Sequence, residues 1–166
     1  LSYVKNITAH YRTLLDEIIA EHPEFHRASS GRSSFTFTPQ PEKTYNRGYT
    51  DYFAGGRQDD IGAFDSPTFT GLPVGVVEKV NQRDLLAVTH APLSNGDGLN
   101  VLVKREVVGF RANIAELKQQ FEEDGEPRWR YRVEPNEMPA ALSRLRPNHA
   151  LNRNLDHDWQ QALQKT

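Results

Sequence analysis

The N-terminal segment places its apolar side chains three and four positions apart. These side chains are Val4, Ile7, Tyr11, Leu14, Leu15 and Ile18. Such spacing puts them on one face of an α-helix. Pro23 ends the pattern, because a proline cannot continue a helix. The pattern therefore predicts an amphipathic helix over residues 3–22.

Short runs of β-branched and aromatic residues dominate the middle of the chain. They occupy residues 74–80, 85–89, 99–103, 107–110 and 128–134. In the last run, Trp129, Tyr131 and Val133 alternate with arginines, as expected for a strand with one face in water. The sequence SNGDGLN, residues 94–100, contains the Asn-Gly and Asp-Gly pairs that tolerate the positive φ angles of tight turns. Five or six short strands of this kind predict a mainly β fold, a small closed or partly open β-barrel.

The remaining segments are predicted to form helices and loops around this barrel. Residues 113–126 (NIAELKQQFEEDGE) predict a short helix or an acidic loop, and residues 139–145 and 156–164 predict short C-terminal helices. Residues 24–65 form a long connector rich in Ser, Thr, Gly and Pro, in which SFTFT at residues 34–38 alternates like a short strand. A connector of this length is usually functional or a linker. The predicted organisation is a leading helix, an aromatic and glycine-rich connector, the barrel and a helical extension, in residues 1–26, 27–65, 66–135 and 136–166.

Composition excludes several classes of protein. Of 166 residues, 37% are hydrophobic and 25% are charged, and 20 basic residues nearly balance 22 acidic ones. Neither a disordered chain nor a uniformly basic nucleic-acid coat has this balance. The sequence has no cysteine, which excludes disulfides, thiolate catalysis and cysteine-ligated metal sites within this chain.

The chain also lacks sequence signals for a membrane or for secretion. No apolar run approaches the ~20 residues that span a bilayer, and the N-terminus has no signal-peptide pattern. The predicted location is therefore the cytoplasm, with no membrane partner. The chain begins at Leu1 and has Met138 as its single methionine, which predicts that it is a piece of a longer protein.

Motifs for catalysis or metal binding are weak. His22 and His26 have the spacing at which two imidazoles can share a metal, but Pro23 separates them at the end of the helix. His157 lies between two aspartates, yet adjacent residues of a helix point in different directions. No Gly-x-Ser-x-Gly nucleophile elbow occurs. These observations predict no catalytic residue and no metal ligand in this chain.

The sequence KTYNRGYTDYFAGGRQDD, residues 43–60, combines aromatic residues with cations and glycines and has no apolar periodicity. Bases stack on aromatic rings while cations contact phosphates, so this mixture suits single-stranded or irregular RNA. We refer to residues 43–60 as the aromatic segment. Its candidate RNA-binding residues are Tyr45, Arg47, Tyr49, Tyr52, Phe53 and Arg57.

A second group of basic residues could extend the same electrostatic surface. Its members are Arg128, Arg130, Arg132, Arg144, Arg146 and Arg153. In the alternative, structural interpretation, the tyrosines close one end of the barrel and the arginines pair with the acidic residues 122–126. Sequence alone leaves both interpretations open.

Two motifs, in order along the chain, resemble a known family. They are YNRGYTDYFAGGRQDDIGAFDSPTFTGLPVGVVEKV at residues 45–80 and LSNGDGLNV at residues 93–101. Both resemble the collagenase-like peptidase family U thirty-two, and most of all the branch that hydroxylates a cytidine in large-subunit ribosomal RNA. The resemblance covers residues 3–108 and continues more loosely into YRVEPN and LNRNLDHDW.

The resemblance implies an architecture larger than this chain. Family members have an N-terminal TIM-like catalytic barrel, whose cysteines hold an iron–sulfur cluster, followed by a small β-barrel similar to those of translation factors. The helix at residues 3–22 would then trail from the catalytic barrel, and the rest of the chain would be the accessory barrel and its extension. Since this chain has no cysteine, the cluster would lie in the catalytic barrel, and no cofactor is expected here.

We therefore interpret the chain as a non-catalytic accessory β-barrel that helps to bind ribosomal RNA and packs on the catalytic barrel of the same parent protein. A second interpretation makes it a substrate-binding domain of a collagenase-like peptidase, in which the aromatic segment holds an extended peptide. In a third, the segment is a purely structural contact between domains.

Overall fold

The computed structural model describes residues 1–46, 55–56, 69–104, 106–145 and 147–165. Its helices are α1 (Ser2–Glu21) and α2 (His157–Gln164), and short 3₁₀ helices lie at Pro41–Lys43 and Ala140–Arg144. Its strands are β1 (Leu72–Val80), β2 (Leu85–Thr89), β3 (Gly98–Val103), β4 (Glu106–Glu123), β5 (Glu126–Pro135) and β6 (His149–Leu155). None of the helices within these described residues is long and apolar enough to cross a membrane.

The six strands close into an antiparallel barrel in the order β1, β2, β5, β4, β3, β6, and β6 pairs back onto β1. Its interior is filled by branched aliphatic side chains. Among those without exposed surface are Val77, Leu85, Leu99, Val101, Val133 and Leu151. The predicted mainly β fold, with a closed barrel, an N-terminal helix and a short C-terminal helix, is confirmed.

Strand β4 continues beyond its partner β3 as a long hairpin with β5. The prediction of a short helix or acidic loop at residues 113–126 is therefore wrong. Ile114, Leu117 and Phe121 are spaced three and four positions apart, as in a helix. The ladder to β5 shifts register after Ala112 and again after Leu117. These bulges break the two-residue alternation of a strand, so the apolar positions imitate a helical period.

The segment at residues 136–166 contributes strand β6 to the barrel, where only helices were predicted. Its sequence HALNRNL is mostly polar, and Leu151 is its one fully buried residue. Strands β1 and β3 flank it on both sides. Hydrogen bonding to both neighbouring strands fixes the position of β6, which has no apolar pattern of its own.

Helix α1 packs on the chain with the face opposite to its apolar side chains. Asn6 and Ala9 are buried. The Asn6 side chain donates to the carbonyl of Gln40 at 2.7 Å and accepts from the backbone N–H of the same residue at 2.9 Å. Ala9 packs against Phe37 and Leu163 of α2. Five of the six apolar side chains in the predicted stripe stay exposed: Val4 at 61%, Tyr11 at 62%, Leu14 at 40%, Leu15 at 49% and Ile18 at 45%. The sixth, Ile7, is partly buried.

Residues 34–38 do not form the short strand that their alternation suggests. All five are described, and they follow an irregular path with a bend. The alternation has another cause, because Phe37 is buried against Ala9 and Leu163 while Phe35 is 40% exposed.

Candidate functional site

Of the six candidate RNA-binding residues, the structure describes Tyr45. The other five lie outside the described residues: Arg47, Tyr49, Tyr52, Phe53 and Arg57. Their role remains a prediction. Tyr45 lies just before residues 47–54, and Phe69 lies just after residues 57–68, which also fall outside the description. The Tyr45 and Phe69 rings contact each other, with centroids 5.9 Å apart and planes at 56°.

A cleft of about 330 Å³ opens beside this ring pair. It lies at the end of the barrel where β6 leads into α2, and α1 contributes part of its wall. Its aromatic and aliphatic lining residues are Tyr3, Tyr45, Phe69, Leu155, Trp159 and Leu163. Tyr45 is 56% exposed. An exposed ring at the mouth of a largely apolar cleft can stack a planar group such as a nucleobase.

Asp156 fixes Lys43 at the wall of this cleft. The Lys43 Nζ lies 2.6 Å from Asp156 Oδ2 and 5.8 Å from the centroid of the Trp159 ring. Asp156 also pairs with Arg153 Nη2 at 3.1 Å. It caps α2 by accepting from the backbone N–H of Trp159 at 3.1 Å. Because Lys43 is already neutralised, we expect the aromatic rings to make most contacts in this cleft.

The ion pairs of Asp156 make the stability of this end of the barrel depend on pH. Burial raises the pKa of Asp156, but the hydrogen bonds from Lys43 and Trp159 and the charge of Arg153 outweigh burial and lower it. A carboxyl group with a lowered pKa in the folded state stabilises the fold above its ordinary pKa of ~3.9. That contribution is lost as the pH falls through the lower, folded-state value.

Replacing Asp156 with asparagine keeps a capping side chain but removes the charge. We expect the free energy of unfolding at neutral pH to fall by about 1.5–3 kcal/mol, the usual contribution of hydrogen bonds to charged groups. The variant should also lose less stability than the parent between pH 5 and pH 3. Urea unfolding at a series of pH values measures both effects. Glu122→Gln, at an exposed position near the end of β4, is the control and should match the parent profile.

The turn predicted from SNGDGLN is confirmed, and Asp97 within it links three parts of the chain. Gly96 has φ 91°, in the left-handed region. Asp97 is fully buried. Its carboxylate accepts from the backbone N–H groups of Ser94 at 3.0 Å and His157 at 2.8 Å, and from Arg153 Nη1 at 3.3 Å. The turn before β3 is thereby tied to β6 and to the start of α2.

The arginines of β5 form ion pairs with carboxylates. Arg130 makes a two-pronged pair with Glu78, each contact 2.9 Å long. Arg132 Nε lies 2.7 Å from Asp84 Oδ2, and the pKa of Asp84 is lowered by hydrogen bonds from Asn81 first and then from Arg132. Arg132 also pairs with Glu116 and Glu134, and Arg128 pairs with Glu123.

These pairs favour the structural interpretation for the described arginines of β5. Their partners lie mainly on β1, β4 and β5 and in the β1–β2 turn, whereas Glu123 is the one partner within residues 122–126. Carboxylates outnumber cations in this network. The outer face of the sheet is therefore a poor surface for a polyanion.

Two of the histidines considered in the sequence analysis, His22 and His157, have structural surroundings. Helix α1 ends at Glu21, so that His22 is its C-cap residue, and His22 Nδ1 lies 3.2 Å from Glu24 Oε1. The His157 ring packs against Gly96, where a Cβ would lie 3.0 Å from it. Within the part of the chain that the structure describes, no group of three His, Cys, Asp or Glu residues could hold a metal ion.

Sequence analysis missed the residues that build the cleft from distant positions. Lys43 and Asp156 are 113 positions apart. The spacing of Trp159 and Leu163 indicates a helix face but not what that face meets. Phe69 lies beyond the end of the long connector, and no local pattern associates it with Tyr45.

Comparison with known proteins identifies one close relative. Over all 166 residues, the chain is 61% identical to the 23S rRNA 5-hydroxycytidine C2501 synthase of Escherichia coli strain K12. The chain spans 24% of the length of that protein. No family profile and no solved structure matches the chain. The match confirms the predicted resemblance to an enzyme that hydroxylates a cytidine in large-subunit ribosomal RNA.

Proposed function

We propose that this chain, which is homologous to a ribosomal RNA hydroxylation enzyme, forms an accessory β-barrel that helps such an enzyme to bind its RNA substrate. The observation that carries the proposal is the identity along the whole chain to a 23S rRNA 5-hydroxycytidine synthase. The barrel, the cleft and the aromatic segment all lie within the matched residues. In this proposal, the aromatic segment and the cleft beside it are the primary RNA contact.

The surroundings of the cleft support a binding role rather than a catalytic one. Its described charged residues, Lys43 and Asp156, neutralise each other. Tyr45 offers an exposed ring, and its contact with Phe69 holds that ring in place. Stacking on rigid aromatic rings is the main way in which proteins bind unpaired bases.

Alanine at Tyr49 should weaken the binding of single-stranded RNA by about 1–3 kcal/mol, the usual contribution of one stacked base. Alanine at Arg47 should weaken binding mainly at low salt. It should lower the slope of log affinity against log salt concentration by about 0.7, because one phosphate contact is lost. Fluorescence anisotropy with a labelled RNA, repeated at several salt concentrations, measures both effects.

Arg128→Ala is the control, since Arg128 already pairs with Glu123 on the outer face of the sheet. It should leave RNA affinity unchanged. Unchanged RNA affinity in the Arg47 and Tyr49 variants, together with a lower free energy of unfolding, would establish the structural interpretation instead. Salt-insensitive binding of an extended glycine- and proline-containing peptide would favour the peptidase interpretation.

The exposed apolar face of α1 is proposed to pack on the catalytic barrel of the same enzyme. Helices of globular proteins normally turn an apolar stripe toward a core. Here Asn6 and Ala9 hold the helix on the chain, and the apolar stripe points away. A contiguous exposed apolar surface of this kind marks an interaction site. The relative extends well beyond the matched region, which leaves ample polypeptide to cover this stripe.

Glutamate at Leu15 or Ile18 should abolish this packing without harming the fold of the chain, because both side chains are already exposed. The test is to mix the purified chain with the part of the Escherichia coli relative that it does not match, and to measure association by calorimetry. We expect the parent chain to bind and either variant to bind at least tenfold more weakly. Ala20→Glu, at an exposed position away from the stripe, should bind like the parent chain. Equal binding by all of them would disprove the proposed contact.

We propose that any iron–sulfur chemistry of the enzyme lies outside this chain. Such clusters are held by cysteine thiolates, and this sequence has none. The chain therefore supplies no redox step in our proposal. Its residues bind and position RNA in the cytoplasm, and the reaction belongs to the catalytic barrel.

A further inference from the structure

A second cleft lies at the opposite end of the barrel from Tyr45. The strands define the two ends, because β1 begins and β6 finishes beside the aromatic cleft, whereas β1 finishes and β6 begins at the other end. There the β1–β2 turn and the residues around the end of the second 3₁₀ helix border an open cleft of about 860 Å³. We call it the basic cleft.

The basic cleft is lined by two cations, Lys79 and Arg83. Both are exposed, and within the described residues neither has a salt bridge or a hydrogen-bonding partner for its side chain. The contrast with β5 is informative, since Arg130 and Arg132 are both paired with carboxylates. Within the described residues, the charges of Lys79 and Arg83 are therefore unpaired, although the chain as a whole carries a net charge of -2.

The other lining groups suit a sugar–phosphate backbone. Gln82 and Ser143 offer an amide and a hydroxyl that can hydrogen-bond to phosphate and ribose oxygens. Val80 and Leu145 supply an apolar floor. None of the described residues that line the cleft carries a carboxylate. Asp84 borders the cleft, where it accepts from the lining residue Asn81 at 2.6 Å, but its charge is paired with Arg132 at 2.7 Å.

We propose that the basic cleft is a second RNA contact, which holds a phosphodiester segment of the substrate through Lys79 and Arg83. This inference rests on the proposed function, because it assumes that the chain binds RNA. The barrel would then contact RNA at both ends, by base stacking at the aromatic cleft and by charge at the basic cleft. Contacts made through phosphate depend on salt and not on base sequence.

The test uses the full chain and a labelled single-stranded RNA of roughly 16 nucleotides, a length at the upper end of common site sizes. The variant Lys79→Ala/Arg83→Ala is compared with Lys118→Ala/Arg128→Ala. The control removes the same charge from residues that are already paired. Loss of two phosphate contacts should lower the slope of log affinity against log salt concentration by about 1.4. The control should keep the parent slope, and both results should hold for RNAs of different sequence.

The outcomes separate this inference from the proposed function. In one outcome, the Lys79/Arg83 variant keeps the parent's slope of log affinity against log salt concentration while the Arg47 and Tyr49 variants bind weakly. That result overturns the basic cleft as an RNA contact and leaves the proposed function intact. Equal losses in the Lys79/Arg83 variant and in the charge-matched control also overturn it, because the effect would then reflect net charge. No RNA binding by the parent chain overturns both.

Discussion

Replacing Asp97 with alanine should lower the free energy of unfolding by about 3–5 kcal/mol, the cost of removing one partner from a buried ion pair. Asp97 has no exposed surface. Its carboxylate accepts from Arg153 and from the backbone N–H groups of Ser94 and His157. Alanine would leave these donors without their acceptor in a place that water reaches poorly. Chemical unfolding followed by circular dichroism measures the loss.

Glu122→Ala is the matched control for this experiment. It also removes a carboxylate, but from an exposed position at the tip of the β4–β5 hairpin. Substitutions of this kind usually change stability by less than about 0.5 kcal/mol. If Asp97→Ala were as stable as Glu122→Ala, Asp97 would not link the turn to β6 and α2 as described.

Gly75→Ala should destabilise the barrel by at least about 3 kcal/mol, the upper end of the usual cost of overpacking. Gly75 lies in β1 and pairs with Thr89 on one side and Leu151 on the other. A Cβ at this position would lie 2.1 Å from the carbonyl oxygen of Val88. Backbone cannot yield as a flexible side chain does, so β2 would have to move away from β1. Thermal and urea unfolding of the purified variant test the expectation.

Gly109→Ala provides the comparison on another strand of the same barrel. A Cβ at Gly109 would come no closer than 3.9 Å to the nearest atom, the carbonyl oxygen of Leu99. That is an ordinary contact, and alanine costs less conformational entropy than glycine in a strand. We expect Gly109→Ala to be as stable as the parent or slightly more stable. Equal destabilisation by both substitutions would mean that loss of glycine itself matters, and not the close approach of β1 and β2.

Local patterns predicted the elements whose partners are close in the sequence. The runs that became β1 and β2 and the alternation around Tyr131 follow from short-range rules, because these patterns lie within a short stretch of chain. Strand β6 could not be predicted from local patterns, because it is mostly polar and its position is set by pairing with β1 and β3. The outer part of β4 was not predicted as a strand, because its bulges break the two-residue periodicity by which strands are recognised.

The candidate site shows the same division between local and distant information. Tyr45 was identified from the composition of the aromatic segment. The cleft beside it depends on Trp159 and Asp156, which the fold brings from the end of the chain. For the arginines of β5, the sequence identified the residues but not their partners. Sequence indicates their charge, but the register of the sheet decides that Glu78 and Asp84 neutralise them.

The position of β6 in the barrel has a consequence for how the chain folds during synthesis. β6 closes the sheet between β1 and β3, and Leu72 pairs with Arg153, so closure must wait until these distant segments are both available. Non-local pairings of this kind slow folding. Until β6 arrives, β1 and β3 present unpaired edges that can recruit other chains. A chain that terminates before His149 should therefore aggregate rather than fold into a smaller barrel, and an exposed edge would be a natural target for chaperones while the ribosome completes the last strand.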